Sequence, residues 1–230
     1  MPCSVRRYKT EDSMKNKTVT AEQAVSGIKD GAVIMFGGFL GCGTPEVLID
    51  ALLEKGVKDI TVICNDTATP TTGVGRLVAA KRVRKVIASH IGTNPETGAQ
   101  MNSGETEVEL IPQGTLAERI RCAGYGLGGV LTPTGLGTEA EKGKEIIVSD
   151  GKSYLLEKPL KADFAILGAS LADKSGNLFF KGTTKNFQPL MATAADTVIV
   201  YAEKLVETGE IDPDTVDTPG IFVDYIAVKE

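Results

Sequence analysis

The chain has 230 residues, 42% hydrophobic and 24% charged, with a formal net charge of −5. That balance suits a globular protein burying one sizeable core, and the negative sign argues against nucleic-acid binding through phosphate contacts. No apolar run approaches the ~18 residues that a membrane-spanning helix needs. Four cysteines, Cys3, Cys42, Cys64 and Cys122, stand apart without a C-x-x-C pair, the pattern of reduced thiols in a cytoplasmic protein. The single histidine, His90, leaves a metal site without its usual ligands, so no metal is expected. Residues 1–13 carry Arg6, Arg7 and Lys9 but no apolar segment of the secretory type. They are expected to be a disordered extension or a start-site artefact, with one domain over residues 14–230.

Thr20-Ala21-Glu22-Gln23 has capping-box spacing and predicts a helix through about Lys29. Residues 32–36 are uninterruptedly apolar and predict a short buried strand. Thr44 and Pro45 then read as the N-cap and first residue of a helix running to Lys55 and stopped by Gly56. A second strand is expected over 60–64, ending at Asn65 and a threonine-rich loop. Helical spacing returns near 77–80, a third strand follows at 86–88, and 94–103 reads as loop and short helix. Residues 107–111 alternate as a half-buried strand, and 114–123 are helical with Leu116 and Ile120 at i and i+4. Residues 124–137 hold six glycines, enough to cover a site or form a long crossover. Asp150-Gly151 between two β-prone runs predicts a type I′ hairpin. Later strands are expected at 164–167, 178–180, 197–201 and 222–228, with a helix near 189–195. The alternation predicts an α/β fold: a mostly parallel central sheet flanked by helices, with a mixed or antiparallel portion toward the C-terminus.

The densest signal follows the first predicted buried strand, where Gly37, Gly38, Gly41 and Gly43 fall within seven positions. Glycine loses much conformational freedom on folding, so four together need a reason. The usual one is close approach of backbone to a ligand, with amides turned toward it at a helix start. A tight turn without ligand is the plain alternative. A dinucleotide fingerprint fits poorly. Gly41-Cys42-Gly43-Thr44-Pro45-Glu46 lacks the third glycine, and Gly135-Leu136-Gly137-Thr138-Glu139-Ala140 follows a Thr-Pro-Thr loop rather than a strand.

The whole run over residues 30–45 has a definite grammar: Asp-Gly, two residues, three large apolar residues, Gly-Gly-Phe, three residues, Gly, one residue, Pro. It resembles the signature of the family I coenzyme A transferases at every position. The resemblance continues through Asn65-Asp66, Ser89-His90-Ile91-Gly92, Pro112-Gln113-Gly114-Thr115-Leu116, Leu131-Thr132-Pro133-Thr134-Gly135 and Thr184-Lys185-Asn186-Phe187. From about Met14 onward the chain is similar to the α subunits of that family that serve acetate, butyrate and acetoacetate.

The resemblance implies transfer of coenzyme A between a short-chain acyl-CoA (acetyl, butyryl or acetoacetyl) and a free carboxylic acid. In the family a glutamate attacks the thioester, passes through an acyl–glutamyl anhydride and becomes a glutamyl-CoA thioester. That glutamate lies in a Ser-Glu-Asn-Gly motif on the β subunit. Nothing here matches it, and Ser103-Gly104-Glu105 has the wrong neighbours, so no catalytic nucleophile is assigned to this chain. The implied partner is a β subunit, in a heterotetramer of two α and two β chains. Coenzyme A enters as substrate, with no metal or redox cofactor. By resemblance Gly37, Gly38, Phe39, Leu40, Gly41, Cys42 and Gly43 form the coenzyme A contact segment. Asn65 and Gln113 line the acyl pocket and donate to a carboxylate or thioester oxygen. Amide side chains suit that role, binding oxygen without adding a titrating charge. Without the family, Asn65 reads as a turn residue and Gln113 as a polar residue at a helix start.

Other conspicuous residues receive plainer readings. Cys42 is expected to be a small apolar filler, since no histidine lies nearby in sequence to activate it. Lys81-Arg82-Val83-Arg84-Lys85 reads as a solvated helix end, the alternative being contact with coenzyme A phosphates. His90 is expected to be a structural strand-end residue, and Arg119 and Arg121 surface or interface residues. Two rival functions stay open on sequence: a sugar-phosphate isomerase of similar architecture, and a non-catalytic acyl-CoA or ligand sensor. No helix-turn-helix segment accompanies the latter.

Overall fold

Alternation within the strand Val33–Phe36 sets the layering of the molecule. In the computed structural model, which describes residues 16–228, Ile34 and Phe36 join one buried cluster while Met35 joins another on the opposite face. The extension expected over residues 1–13 lies outside the described residues. In chain order the elements are β1 (Thr18–Val19), α1 (Ala21–Val25), β2 (Val33–Phe36), α2 (Glu46–Lys55), β3 (Ile60–Cys64) and α3 (Val74–Ala79). Then come β4 (Val83–Ala88), α4 (Pro95–Ser103), β5 (Glu107–Leu110), α5 (Gln113–Gly124), β6 (Val130–Thr132), β7 (Ile146–Ser149) and β8 (Lys152–Glu157). The last are β9 (Ala162–Asp173), β10 (Leu178–Phe179), α6 (Gln188–Thr193), β11 (Ala195–Val206) and β12 (Tyr225–Ala227).

Nine strands form one sheet in the order β1-β12-β11-β9-β2-β3-β4-β5, with β10 added to β9. The pairs along that order are parallel, and only β10 against β9 is antiparallel. One face is covered from α1, α2 and α3 by Val25, Leu48, Leu52 and Leu77, the other from α5 and α6 by Leu116, Ile120 and Met191. Burial on both faces is why β3 reads Ile-Thr-Val-Ile-Cys with scarcely a polar interruption. From β2 the sheet grows one way through β3, β4 and β5, while the later strands β9, β11 and β12 lie on the other side. The strand order therefore reverses between β2 and β9, the position at which open α/β sheets bind ligands beyond their strand ends.

Several predicted features differ in detail. The capping box at Thr20 and Gln23 is present, but α1 stops at Val25, since Gly27 follows two residues later. Pro45, not Thr44, is the N-cap of α2; the Thr44 hydroxyl donates to Gly37 O at 3.2 Å instead. The mixed portion expected toward the C-terminus is present, since β10 runs antiparallel to β9, but it is not the main antiparallel element. β6, β8 and β7 make a separate three-stranded antiparallel sheet from the middle of the chain, while β9, β11 and β12 complete the parallel sheet. β6 comes from the glycine-rich stretch, where no strand was expected. The Asp150-Gly151 turn does have φ of 50° and 72°, as a type I′ hairpin requires. Among the described residues no helix is long and apolar enough to cross a membrane.

Candidate functional site

The carboxyl ends of β2, β3, β4 and β5 converge on one side of the sheet, and each is followed by residues that the sequence singled out. After β2, the Gly37 amide donates to Ile166 O on β9 at 3.0 Å, so the loop leaves the sheet at the reversal point. Phe39 and Cys42 exchange two backbone hydrogen bonds of 3.1 and 2.8 Å, closing a tight turn whose tip is Leu40-Gly41. Leu40 lies at φ 49° and Gly41 at 82°. Phe39 and Leu40 are 47% and 50% exposed, so the tip offers apolar surface at the mouth of the site.

Most amides of this loop have partners within the chain. Gly38 donates to Asn186 Oδ1 at 3.2 Å and Leu40 to Asp66 Oδ2 at 3.0 Å. Only the amides of Gly41 and Gly43 have no partner among the described residues. The missing side chains at Gly37 and Gly38 also serve internal packing: a Cβ there would overlap Gln188 Oε1 and Thr44 Oγ1 respectively. Glycine thus lets the 181–188 segment press onto the loop, with Gln188 Nε2 donating to Gly43 O at 2.7 Å and Asn186 Nδ2 to Cys42 O at 3.2 Å. A small cleft beneath the turn is lined by Phe36, Gly38, Gly41, Thr44, Cys64 and Asp66 among others. Burial, and then the Asp66 charge, push the Cys64 thiol far up and keep it inert.

The second half of the site is built from side chains. Asn65, just past β3, is 1% exposed. Its Nδ2 donates to Asp66 Oδ2 at 2.8 Å, and its Oδ1 accepts from Gln113 Nε2 at 2.5 Å. Ser89, just past β4, donates its amide to Asn65 O at 3.0 Å, and its hydroxyl lies within hydrogen-bond reach of Asn65 O and Gln113 Oε1. Gln113 opens α5 beyond β5 and is exposed. One of its two amide hydrogens is used by Asn65, and the other has no partner among the described residues. The structure therefore brings Asn65 and Gln113 into direct contact although 48 positions separate them. It places both beside the glycine loop through Asp66.

This assembly consists of oriented donors without a nucleophile–base pair. It can hold and polarise oxygens, the task of a preorganised electrostatic site. Sequence reasoning assigned no role to Asp66, Ser89, Asn186 or Gln188. Asp66, Ser89 and Asn186 sit inside segments quoted above, but nothing in their local spacing reveals that they meet the loop. Three plain readings need correction. Cys42 is exposed and lies 3.3 Å from Thr183 Oγ1; it is not a core filler, because the turn projects it outward. The cationic run is a helix end only in its first half: the Lys81 and Arg82 amides close α3 by donating to Val78 O and Leu77 O, whereas Val83, Arg84 and Lys85 belong to β4, and Lys85 pairs with Glu107 at 2.8 Å and Glu109 at 3.0 Å on the neighbouring strand. Arg119 is largely covered rather than superficial, donating to Lys158 O at 2.9 Å and Glu109 Oε1 at 3.2 Å. Arg121 does lie nearer the surface, bound to Glu118.

An open, helix-covered and mostly parallel sheet with a glycine loop at its reversal point and amide side chains at the adjacent strand ends is the arrangement of an α/β protein with its candidate site beyond the strand ends. The profile of coenzyme A transferases matches residues 18–229. The chain is 55% identical over 217 residues to the acetate CoA-transferase subunit alpha of Escherichia coli K12, covering 94% of this chain and 99% of the relative. It is 54% identical over 217 residues to the acetoacetyl-CoA:acetate/butyrate CoA transferase alpha subunit of Clostridium acetobutylicum, with the same coverage of 94% and 99%. Among solved structures, an acyl-CoA transferase apoenzyme from Escherichia coli O157:H7 superposes with a TM-score of 0.80 at 22% identity. That match covers 94% of this chain but 47% of the other, so this chain spans about half the length of that one. The chain belongs to the coenzyme A transferase family. Neither the isomerase nor the sensor alternative is favoured.

Proposed function

We propose that this chain is the α subunit of a short-chain acyl-CoA:carboxylate CoA-transferase, moving coenzyme A between acetyl-, butyryl- or acetoacetyl-CoA and a free acid. The observation that carries this is 54–55% identity to two α subunits of that description over 94% of the chain. A partner β subunit supplies the glutamate nucleophile, since no Ser-Glu-Asn-Gly segment occurs here. The assembly is a cytoplasmic heterotetramer of two α and two β chains, using coenzyme A as substrate and no metal or redox cofactor.

In this reading the partner's glutamate attacks the thioester carbonyl, and the C–S bond breaks to give an acyl–glutamyl anhydride and the coenzyme A thiolate. The thiolate then attacks the glutamyl carbonyl, releasing the first acid and leaving the glutamyl-CoA thioester. A second carboxylate reverses these steps. Negative charge develops on a carbonyl oxygen each time, where fixed N–H donors stabilise it without reorganising. Gln113 offers the available side-chain donor, Asn65 orients it, and residues 37–43 meet coenzyme A through the free Gly41 and Gly43 amides and the exposed Phe39-Leu40 tip.

Co-expression with the cognate β chain, followed by native mass and acetyl-CoA:acetoacetate exchange, tests the proposal. The expected result is a complex that exchanges, while this chain purified alone does not; borohydride then marks the partner only. Exchange by the isolated chain would overturn the division of labour.

A further inference from the structure

One buried carboxylate links the two halves of the site. Asp66 is 6% exposed, and its oxygens accept from three separate N–H groups. Oδ1 takes the Ala68 amide at 2.7 Å, while Oδ2 takes the Leu40 amide at 3.0 Å and Asn65 Nδ2 at 2.8 Å. Leu40 sits at the exposed tip of the glycine loop with φ 49°, an unfavourable conformation for a leucine that needs an anchor. Asn65, the other donor to Oδ2, presents its Oδ1 to Gln113 Nε2 at 2.5 Å. A carboxylate is suited to this post because both its oxygens only accept. An asparagine would turn an N–H toward at least one of the three donors.

We propose that Asp66 is a positioning residue for coenzyme A transfer, holding the loop tip and, through Asn65, the Gln113 amide in one shared geometry. It couples the coenzyme A half of the site to the carboxylate half without touching either substrate. Rate in such sites depends on placement to within fractions of an ångström, so loosening this link lowers turnover more than it weakens binding. The inference rests on the CoA-transferase reading of residues 37–43 and Gln113.

The test is Asp66→Asn in the assembled α–β complex, which keeps volume while reversing one hydrogen-bond polarity. Amide exchange of residues 37–43 should accelerate about tenfold or more, as for a lost charged hydrogen bond, while β9 and β11 keep their protection. Turnover should fall about 10- to 100-fold on the same basis. Combined with Gln113→Ala, the loss should be at least about fivefold smaller than the product of the single losses, because both act through one group. Unchanged loop exchange, or losses that simply multiply, would overturn the proposal. If Asp66→Asn does not assemble, Asp66→Ser carries the same comparisons. A wild-type complex that transfers no coenzyme A defeats the proposed function instead, and loop exchange alone then decides the role of Asp66.

Discussion

Asn65 and Gln113 are both amides, but their surroundings give them different jobs. Gln113 is exposed and retains a free amide hydrogen, whereas Asn65 is 1% exposed and is engaged on both sides by Asp66 and Gln113. Gln113→Ala should lower turnover roughly 100- to 1000-fold, the loss of about 2.7–4 kcal/mol seen when one donor to developing charge is removed, with subunit assembly intact. A rise in the Michaelis constant for the free acid at unchanged turnover would instead assign Gln113 to ground-state binding. Asn65→Ala should also cost about 1–3 kcal/mol in urea unfolding, because a buried oxygen of Asp66 loses a donor. Gly168 on β9 offers a second residue-scale test. A Cβ there would collide with Gly43 O, a backbone atom held by Gln188. Gly168→Ala should therefore lower the melting temperature and impair coenzyme A binding together, with a cost of about 1–3 kcal/mol. An unchanged melting temperature would mean that the loop yields freely.

At the scale of elements, capping chemistry decides where helices begin and side-chain pairing decides how edges are protected. Asn94 caps α4 by accepting from Glu96 and Thr97 amides at 3.1 and 3.4 Å, Pro95 follows in the first turn, and Gly104 closes the helix at φ 76°. Within that helix Gly98 has nothing within 4 Å of a would-be Cβ. Gly98→Ala should thus stabilise the protein by about 0.5–1 kcal/mol, read as a higher denaturation midpoint at constant slope. At the sheet edge, Lys85 reaches both Glu107 and Glu109. Hydrogen bonding to Glu107 first, then to Glu109, holds the lysine's pKa above its usual value. Lys85 is thereby matched across the ladder, a favourable cross-strand arrangement. These local features were largely readable, because caps, stops and hairpin turns are written in adjacent residues. The Asp150-Gly151 hairpin is the cleanest example. The cationic run was misread in its second half, Val83 to Lys85, because charge density alone does not distinguish a helix end from the strand that follows it.

At the scale of the whole molecule, Asp173 ties the long central strand β9 to its neighbours. It accepts from the Ser175 and Asn177 amides at 3.0 Å each, from Asn177 Nδ2 at 2.8 Å and from the Gly209 amide beyond β11 at 3.4 Å. Burial alone would raise its pKa, but the hydrogen bonds from Asn177 and Ser175, with the backbone amides, hold it below the usual aspartate range. A carboxyl with a lowered folded-state pKa contributes stability in full above its unfolded value, about 3.9, and loses it as pH falls toward the folded value. The stability gap between wild type and Asp173→Asn should therefore be constant near neutrality and shrink below about pH 4, as followed by urea unfolding across pH. A gap that persists unchanged in acid would show that the carboxylate charge plays no part.

The sequence by itself determined the alternation of strands and helices, the glycine loop after β2 and its family, and the two amides at strand ends. Each of these is a local pattern, carried by residues within a few positions of one another. Only the tertiary structure decided that β9 inserts beside β2, making the reversal point on which the loop sits. It also decided that the antiparallel sheet is made from the middle of the chain, and that Asp66 joins Leu40 to Asn65 and Gln113. The reason is that parallel strand order and side-chain convergence depend on contacts between residues far apart in sequence, such as Thr18 with Ile226, Gly38 with Asn186 or Gly43 with Gln188. Local propensity carries no information about such pairs, since they are selected by how both faces of the sheet bury their apolar side chains at once.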